Sequence, residues 1–271
     1  MRQRIVTGLL LIIMTAVLLI LPGYVMATTS FVFVALAIWE EYRALRLAGH
    51  RVVDWPVWVA AGLSIPLAYF FGQKILVPLI AASMMAICLC VLFRERPELT
   101  DLSMSVLPMM TVLLPGLSIV NMSLMRPHAK EVVYLAMTLA IPLIGDMMAL
   151  FVGMKFGRKK LCPAVSPNKT VAGAIGGLAG SVMAAMLIYG ITRWTCNAPT
   201  LAILPPWWHY LLLGLLGGVA GQTGDLFASL VKRHSGIKDF SNLFPGHGGM
   251  LDRLDSALFM AVLMYAYTLI A

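Results

Sequence analysis

The chain has 271 residues, of which 60% are hydrophobic and only 12% are charged. Soluble domains carry roughly a quarter of charged residues, so the twelve acidic side chains are too few to cover a water-soluble globule of this length. Disordered chains are rich in charge and poor in apolar residues, and the same figures exclude them. The composition therefore predicts an integral membrane protein.

The charge balance indicates the kind of partner. Twenty Lys and Arg residues against twelve Asp and Glu residues give a net charge of +8. This excess suits anionic lipid headgroups or a substrate that carries phosphate. The basic residues occupy short loops between apolar runs, so we do not expect nucleic acid as a partner.

Nine apolar segments are long enough to cross a bilayer, which takes about 20 residues of helix. They predict an all-α polytopic fold with spans at 5–22, 26–43, 56–72, 74–93, 103–124, 131–154, 171–192, 207–231 and 255–271. The basic start at Arg2 and Arg4 before a long apolar run predicts a retained first helix, not a cleaved signal peptide. Pro108 and Pro115 predict a kink or a break in the fifth span.

The spans divide into two regions. Residues 1–125 hold the first five, and residues 126–271 hold the last four together with the most polar loops, 155–170 and 232–254. Cytoplasmic loops are enriched in Lys and Arg. With the N-terminus inside, sixteen of the twenty basic residues face the cytoplasm, and only Lys74, Arg126, Lys130 and Arg193 do not. The N-terminus and both polar loops are therefore predicted to be cytoplasmic, and the C-terminus outside.

Two aspartates lie inside predicted spans, where a charged side chain costs about 2.5 to 3.5 kcal/mol and is usually functional. Asp146 lies in the segment IPLIGDMMALFVG and Asp225 in GGVAGQTGDLFASLVKR. Lys232 and Arg233 follow Asp225 by about two helical turns, so this helix presents a carboxylate and cations toward the cytoplasm. The alternative is a buried aspartate that only pairs with a cation of a neighbouring helix.

A pair of glutamates, Glu40 and Glu41, ends the second span and is followed at once by Arg43 and Arg46. Acids and bases at such short spacings are typical of the polar end of a helix at the membrane surface. We therefore interpret this pair as an interfacial helix end beside its arginines and not as a functional site.

The loop before the last span has a pattern suited to phosphate. In the segment 245–249, glycines allow the backbone to approach phosphate oxygens closely. His247 can donate a hydrogen bond to a phosphoryl oxygen or to a leaving group. Arg253 adds a planar guanidinium that matches phosphate geometry.

Acidic residues around this loop indicate a metal. Asp252 and Asp255 open the last span three residues apart and therefore lie on one helix face. Together with Asp225 on another helix they form a set of oxygen ligands without sulfur or imidazole. Such a set suits Mg²⁺ better than zinc.

The stretch from Ser229 to Asp255, about 27 residues, resembles the signature of the phosphatidate cytidylyltransferase (CDP-diacylglycerol synthase) family. The matching positions are Ser229, Lys232, Arg233, Lys238, Asp239, Pro245, His247, Gly248, Gly249, Asp252, Arg253 and Asp255. A second match lies upstream, at Asp146, Ala149, Gly153, Gly157, Ser166, Pro167, Lys169, Thr170, Gly176 and Gly177. Departures at Ile144, Gly145, Leu150 and Asn168 leave the acids and Lys169 in place and bear on substrate preference.

The resemblance implies transfer of the cytidylyl group of CTP to phosphatidate, giving CDP-diacylglycerol and pyrophosphate for phospholipid synthesis. It implies a bacterial-type inner membrane, with the active site facing the cytoplasm. The implied catalytic residues are Lys169, Asp225, His247 and Asp252, and the implied Mg²⁺ ligands are Asp225, Asp252 and Asp255, beside a second divalent or monovalent ion. The implied substrate-binding residues are Ser166, Lys169, Lys232, Arg233, Lys238, Gly248, Gly249 and Arg253.

Supporting roles also follow from the resemblance. Asp146 would support the polar cavity and pair with Lys169, or serve structure alone. Ser166 and Thr170 would contact substrate or cap the helix that follows. We expect a cavity lined by the spans 131–154, 207–231 and 255–271, open both to the cytosol and to lipid.

Other functions fit the same features less well. A CTP-dependent kinase of polyprenol or phytol would transfer the γ-phosphate and release CDP. A secondary transporter would use the intramembrane acids as ion sites, but the polar residues gather in the C-terminal half instead of in two inverted halves. A paralogue with another acidic lipid acceptor is a further alternative. Glycine-rich helix faces are compatible with a homodimer.

Overall fold

A computed structural model describes residues 23–270, except 245 and 247. Its helices, numbered here in chain order, are α1 (Gly23–Leu47), α2 (Trp55–Phe71), α3 (Leu76–Leu92), α4 (Leu99–Pro108), α5 (Leu114–Ser123), α6 (His128–Phe156), α7 (Val171–Thr195), α8 (Ala198–Ala202), α9 (Trp207–His234) and α10 (Leu251–Ile270). Two strands, β1 (Lys160–Cys162) and β2 (Ser166–Thr170), precede α7. A 3₁₀ turn, Gln73–Ile75, precedes α3, and a π-helical segment, Met109–Leu113, joins α4 to α5.

Among the described residues, six helical segments are long and apolar enough to cross a membrane: Gly23–Leu47, Leu99–Ser123, His128–Phe156, Val171–Thr195, Trp207–His234 and Leu251–Ile270. Two shorter apolar helices, α2 and α3, occupy the predicted spans 56–72 and 74–93. The predicted span 5–22 lies outside the described residues. A helical polytopic membrane protein is therefore confirmed, while the count of nine spans stays a prediction.

The fifth predicted span is broken at its prolines, as the sequence predicts. α4 ends at Pro108, and the π-helical segment separates it from α5. Pro115 has no N–H, so it cannot donate to the carbonyl of Thr111 four residues earlier. The Thr111 hydroxyl donates to the carbonyl of Leu107 at 2.9 Å and to the carboxylate of Glu41 in α1. Through the Thr111 hydroxyl, the π-helical segment thus contacts the carboxylate of Glu41 in α1.

Glycines allow α6, α7 and α9 to pack closely against one another. A Cβ on Gly176 of α7 would lie 2.5 Å from the Cβ of Val152 in α6. A Cβ on Gly218 of α9 would lie 2.8 Å from the side chain of Ser181 in α7. Small residues are the usual means by which membrane helices approach each other at the backbone. α10 packs on α9 and also contacts α5, which joins this C-terminal group to the N-terminal helices.

The polar loop 155–170 contains a β-hairpin, which the all-α prediction did not include. β1 and β2 pair antiparallel, with Lys160 opposite Thr170 and Cys162 opposite Ser166. Thr170 then caps α7, because its hydroxyl accepts from the backbone N–H of Gly173 at 3.1 Å. The hairpin holds Lys169 at the entry to α7.

The glycine packing can be tested on two positions of one helix. Gly176→Ala in α7 should lower the thermal stability of the detergent-solubilised protein by about 1 to 3 kcal/mol, the usual cost of overpacking. Gly190→Ala in the same helix is the matched control, because nothing lies within 4 Å of the added Cβ. Its higher helix propensity should leave the melting temperature equal or raised. Equal melting temperatures for both variants would contradict the close packing.

Candidate active site

The polar residues singled out in the sequence gather around the C-terminal halves of α6 and α9 and the starts of α7 and α10. Lys169, the fourth residue of β2, forms an ion pair with Asp225 of α9. Their side chains are 25% and 27% exposed, respectively, so both can be reached from outside the protein. The hairpin thereby brings a cation to a carboxylate that lies on a membrane-spanning helix.

Asp252, in the first turn of α10, is buried and receives three hydrogen bonds. Lys232 of α9 donates to its Oδ1 atom at 2.6 Å. The backbone N–H groups of Phe240 and Gly249 donate to its Oδ2 atom at 2.8 and 3.0 Å. The Lys232 ammonium also lies 5.4 Å from the ring centroid of Phe240. Asp252 therefore links the start of α10 to the last turns of α9 and to two points of the loop between these helices.

Two further carboxylates approach Asp225 from neighbouring helices. Asp146 of α6 and Asp255 of α10 both lie within electrostatic range of Asp225. The Ser256 hydroxyl lies 3.2 Å from Asp146 Oδ2 and 3.3 Å from Asp255 Oδ1. Lys169 is close enough to Asp146 to act on its charge, but its ion-pair partner is Asp225. Acids from three helices thus lie near one another, whereas the set predicted from the sequence had Asp252 with Asp225 and Asp255, and Asp146 only in support.

The metal predicted from the sequence can be compared with this arrangement. Among the described residues, no three or more His, Cys, Asp or Glu side chains are arranged as a set of metal ligands. The donors around Asp225 are nevertheless carboxylate and hydroxyl oxygens, the ligand type that Mg²⁺ prefers. Asp252 already accepts three hydrogen bonds. The metal roles of Asp225, Asp252 and Asp255 therefore stay predictions.

The predicted substrate-binding residues occupy several positions around this cluster. Ser166 is half-buried at the start of β2, and Arg233 donates from Nε to the carbonyl of Val165 in the hairpin turn at 3.4 Å. Lys238 and Arg253 are exposed. Of these three cations, Arg233 thus contacts the hairpin that carries Lys169.

The glycine-rich segment forms a tight turn. The backbone N–H of Phe244 donates to the carbonyl of Gly248 at 2.9 Å. Gly248 has φ of +80°, a conformation that favours glycine, and a Cβ there would lie 2.8 Å from Asp252 Oδ2. The N–H of Gly249 is used by Asp252. The predicted catalytic residue His247 lies outside the described residues.

Glu40 is the residue of this region that the sequence interpretation missed. Its buried carboxylate accepts from the Ser241 hydroxyl at 2.5 Å and from the backbone N–H groups of Met250 and Leu251 at 2.9 and 2.7 Å. Helix N-termini leave such N–H groups unsatisfied, so Glu40 of α1 completes the start of α10. Only its place inside an apolar helix could have indicated a buried role.

The interpretation of the glutamates as a surface helix end beside its arginines is therefore wrong. Arg43 lies over the ring of Trp39, and Arg46 pairs with Asp54 at 2.6 Å. Both arginines turn to neighbours outside the bundle interior, while Glu40 and Glu41 point into it and are 1% exposed.

Glu41 lines a narrow crevice beside the carboxylate cluster, together with Thr111 of the π-helical segment and Asp255 of α10. Phe227 of α9 and Phe259 of α10 form apolar walls. The predicted cavity was to lie among the spans 131–154, 207–231 and 255–271. α9 and α10 do line the crevice, but α1 and the π-helical segment complete it in place of α6.

Comparison with known proteins gives a consistent result. The sequence model of the cytidylyltransferase family matches residues 2–271. The phosphatidate cytidylyltransferase of Bacillus subtilis is 42% identical over 120 residues, which are 44% of this chain and 41% of the relative. That of Brucella abortus is 38% identical over 156 residues, 56% and 53% of the two chains. That of Staphylococcus epidermidis is 26% identical over 268 residues, 97% of each chain. The first two alignments thus span about half the length of those relatives.

The capping role of Glu40 can be tested by a neutral substitution. Glu40→Gln keeps the size of the side chain but replaces one acceptor oxygen by an NH₂ group that faces a donor. A hydrogen bond to a charged group contributes about 1.5 to 3 kcal/mol. The free energy of unfolding should therefore fall by at least this amount. The loop 235–250 should also become more sensitive to protease in detergent.

Glu41→Gln is the control for this experiment. Glu41 is equally buried in the same helix, but among the described residues its one donor is the Thr111 hydroxyl, which can equally donate to an amide oxygen. If both variants left stability and protease sensitivity unchanged, Glu40 would not hold the start of α10.

Proposed function

The chain belongs to the cytidylyltransferase family, and from this premise we propose that it transfers the cytidylyl group of CTP to phosphatidate. The products are CDP-diacylglycerol, a precursor for phospholipid synthesis, and pyrophosphate. The single observation that carries the proposal is the pairing of Lys169 with Asp225 and of Lys232 with Asp252 at one end of the helix bundle. This end combines positive charge for phosphates with carboxylates for a metal ion.

In the proposed reaction, an oxygen of the lipid phosphate attacks the α-phosphorus of CTP. The bond from that phosphorus to the oxygen bridging it to the β-phosphate breaks, and pyrophosphate leaves. The attacking oxygen is already ionised near neutral pH, so the reaction needs no strong general base. The barrier lies in bringing two polyanions together, which positioning and charge neutralisation can lower.

Lys169 and Lys232 are the proposed cations that receive these phosphates. Lys169 is a quarter exposed and held on a hairpin, and Lys232 is held between Asp252 and the ring of Phe240. Arg233, the residue directly after Lys232, adds a third positive charge and is exposed. Each cation is thus positioned before substrate arrives, which limits the reorganisation that binding requires.

A magnesium ion would supply charge neutralisation at the triphosphate when it is bound. Asp225 is the first proposed ligand, since it is partly exposed and lies within electrostatic range of Asp146 and Asp255. Asp252 and Asp255 are the further proposed ligands. The hard oxygen chemistry of these side chains supports magnesium over softer metals.

The proposed topology places this site on the cytoplasmic side of a bacterial inner membrane. Nine spans, with the N-terminus inside and the C-terminus outside, put sixteen of the twenty basic residues in the cytoplasm. CTP then reaches the site from the cytosol, and phosphatidate reaches it from the inner leaflet.

A labelling experiment tests the proposed reaction. Purified protein in detergent is given Mg²⁺, phosphatidate and CTP labelled in the cytosine ring. It should produce labelled CDP-diacylglycerol and one pyrophosphate for each lipid formed. Chelation of Mg²⁺ should abolish both products, and its return should restore them. A lipid kinase would instead release labelled CDP and leave the lipid fraction unlabelled. The same assay is repeated with polyprenol in place of phosphatidate, and release of labelled CDP there would contradict the proposal.

The role of Asp225 gives a sharper prediction. Asp225→Asn removes the charge that pairs with Lys169 and the first proposed metal ligand. Turnover should fall at least about hundredfold, as when a preorganised electrostatic contact is lost, while membrane insertion and yield stay unchanged. Glu95→Gln, at an exposed acid after α3, is the control and should keep the wild-type rate. A wild-type rate in Asp225→Asn would disprove the assignment.

A further inference from the structure

A second cavity lies where α7 ends and α9 begins. Its volume is about 310 Å³. Aromatic rings of Tyr189, Trp207 and Tyr210 form part of its wall, and apolar residues of the turn 201–206 form another part. Arg193, in the last turn of α7, is the basic residue that lines it. Within residues 23–270, apart from 245 and 247, no acidic side chain lines this cavity.

This cavity is separate from the candidate active site. Both features include residues of α9, at different positions along the helix. Tyr210 lines the cavity, whereas Asp225 forms the ion pair with Lys169 in the candidate active site. At a rise of 1.5 Å per residue, the two positions are about 22 Å apart along the helix axis. That distance is most of the thickness of a bilayer core, about 30 Å, so the two features lie near opposite membrane surfaces.

Arg193 is available for an anion. In the part of the chain that the structure describes, it forms no ion pair. Its position at a helix C-terminus is favourable for a cation but does not satisfy its donors. A guanidinium presents five N–H donors in a plane and binds phosphate with two parallel hydrogen bonds. The charge of the cavity thus selects a phosphate or carboxylate group.

The tryptophans at this end indicate its depth in the membrane. Trp194 is 88% exposed, Trp207 53% and Trp208 51%. Tryptophan is enriched at the boundary between lipid and water, where the ring is buried and the N–H is hydrated. The cavity therefore lies at the level of lipid headgroups. Its volume falls at the lower end of small-molecule sites, about 300 to 1,000 Å³, so it can hold a headgroup while acyl chains stay in the bilayer.

We propose that this cavity binds the phosphate of an anionic phospholipid headgroup from the leaflet opposite to the carboxylate cluster. The guanidinium of Arg193 holds the phosphate, and the rings of Tyr189 and Tyr210, which pack on each other with centroids 5.2 Å apart, form one wall beside the glycerol part. The chemistry is that of a phosphate ester, which a free glycerol phosphate shares. The exposed tryptophans favour the lipid as its source.

Native mass spectrometry of the protein in detergent tests this site directly, without reference to catalysis. Phosphatidylglycerol is titrated against wild type, and phosphatidylcholine with the same acyl chains is the neutral comparison. Wild type should bind phosphatidylglycerol more tightly. Arg193→Gln should weaken that binding about tenfold or more, as expected for loss of a hydrogen bond to a charged group. Arg193→Lys, which keeps the charge, should retain most of it.

Lys74→Gln is the matched control, since Lys74 is another exposed basic residue predicted on the same side of the membrane and does not line the cavity. It should bind phosphatidylglycerol like wild type. Equal binding to Arg193→Gln and wild type, or equal loss in Lys74→Gln, would overturn the proposal. Tighter binding of glycerol 3-phosphate than of the lipid would overturn the lipid source. A melting temperature of Arg193→Gln close to that of wild type would exclude misfolding as the cause.

Discussion

The pairing and hydrogen bonding of carboxylates inside the helix bundle determine how the polar end of this protein is built. An ion that leaves water costs several kcal/mol unless it is paired and hydrogen-bonded. Asp225 receives its cation from the β-hairpin, and Asp252 receives its cation from α9. Glu40 of α1 receives its donors from the loop before α10. Each acid is thus satisfied by a different element, so the pairings fix how the hairpin, the loop and three helices meet.

The same pairings prepare this end for phosphates. A phosphate oxygen, like a carboxylate oxygen, is a negatively charged acceptor for a lysine ammonium. In the proposed reaction, Lys169 can therefore pass from Asp225 to a phosphate without being left unpaired. The aspartate that remains then needs another cation, which is a physical reason to expect magnesium together with the nucleotide. Asp252 is more deeply held, because two backbone N–H groups support it beside Lys232.

Sequence patterns predicted the helices well, but they did not predict which side chains pair. Eight of the nine predicted spans fall on described residues, and each coincides with helical structure. The partner of Lys169 depends on how α6 and α9 are rotated about their axes, which spacing along one helix cannot determine. Strands of three and five residues are too short to leave a periodic pattern. Glu40 was misinterpreted because Arg43 and Arg46 are near in sequence, whereas its donors are more than 200 residues away.

The position of the polar groups at the ends of α9 follows from the packing of its middle. The buried face of α9 contains Gly214, Gly217, Gly218, Gly221 and Gly224. Glycine at these positions lets neighbouring helices approach so closely that an added Cβ at Gly214, Gly218 or Gly224 would lie within 3 Å of their atoms. Gln222, the amide in this stretch, is accommodated because it donates to the carbonyl of Ala174 at 3.0 Å. Asp225 follows directly after the last of these glycines, so the charged part of α9 begins where the glycine-packed stretch ends and continues to Lys232 and Arg233.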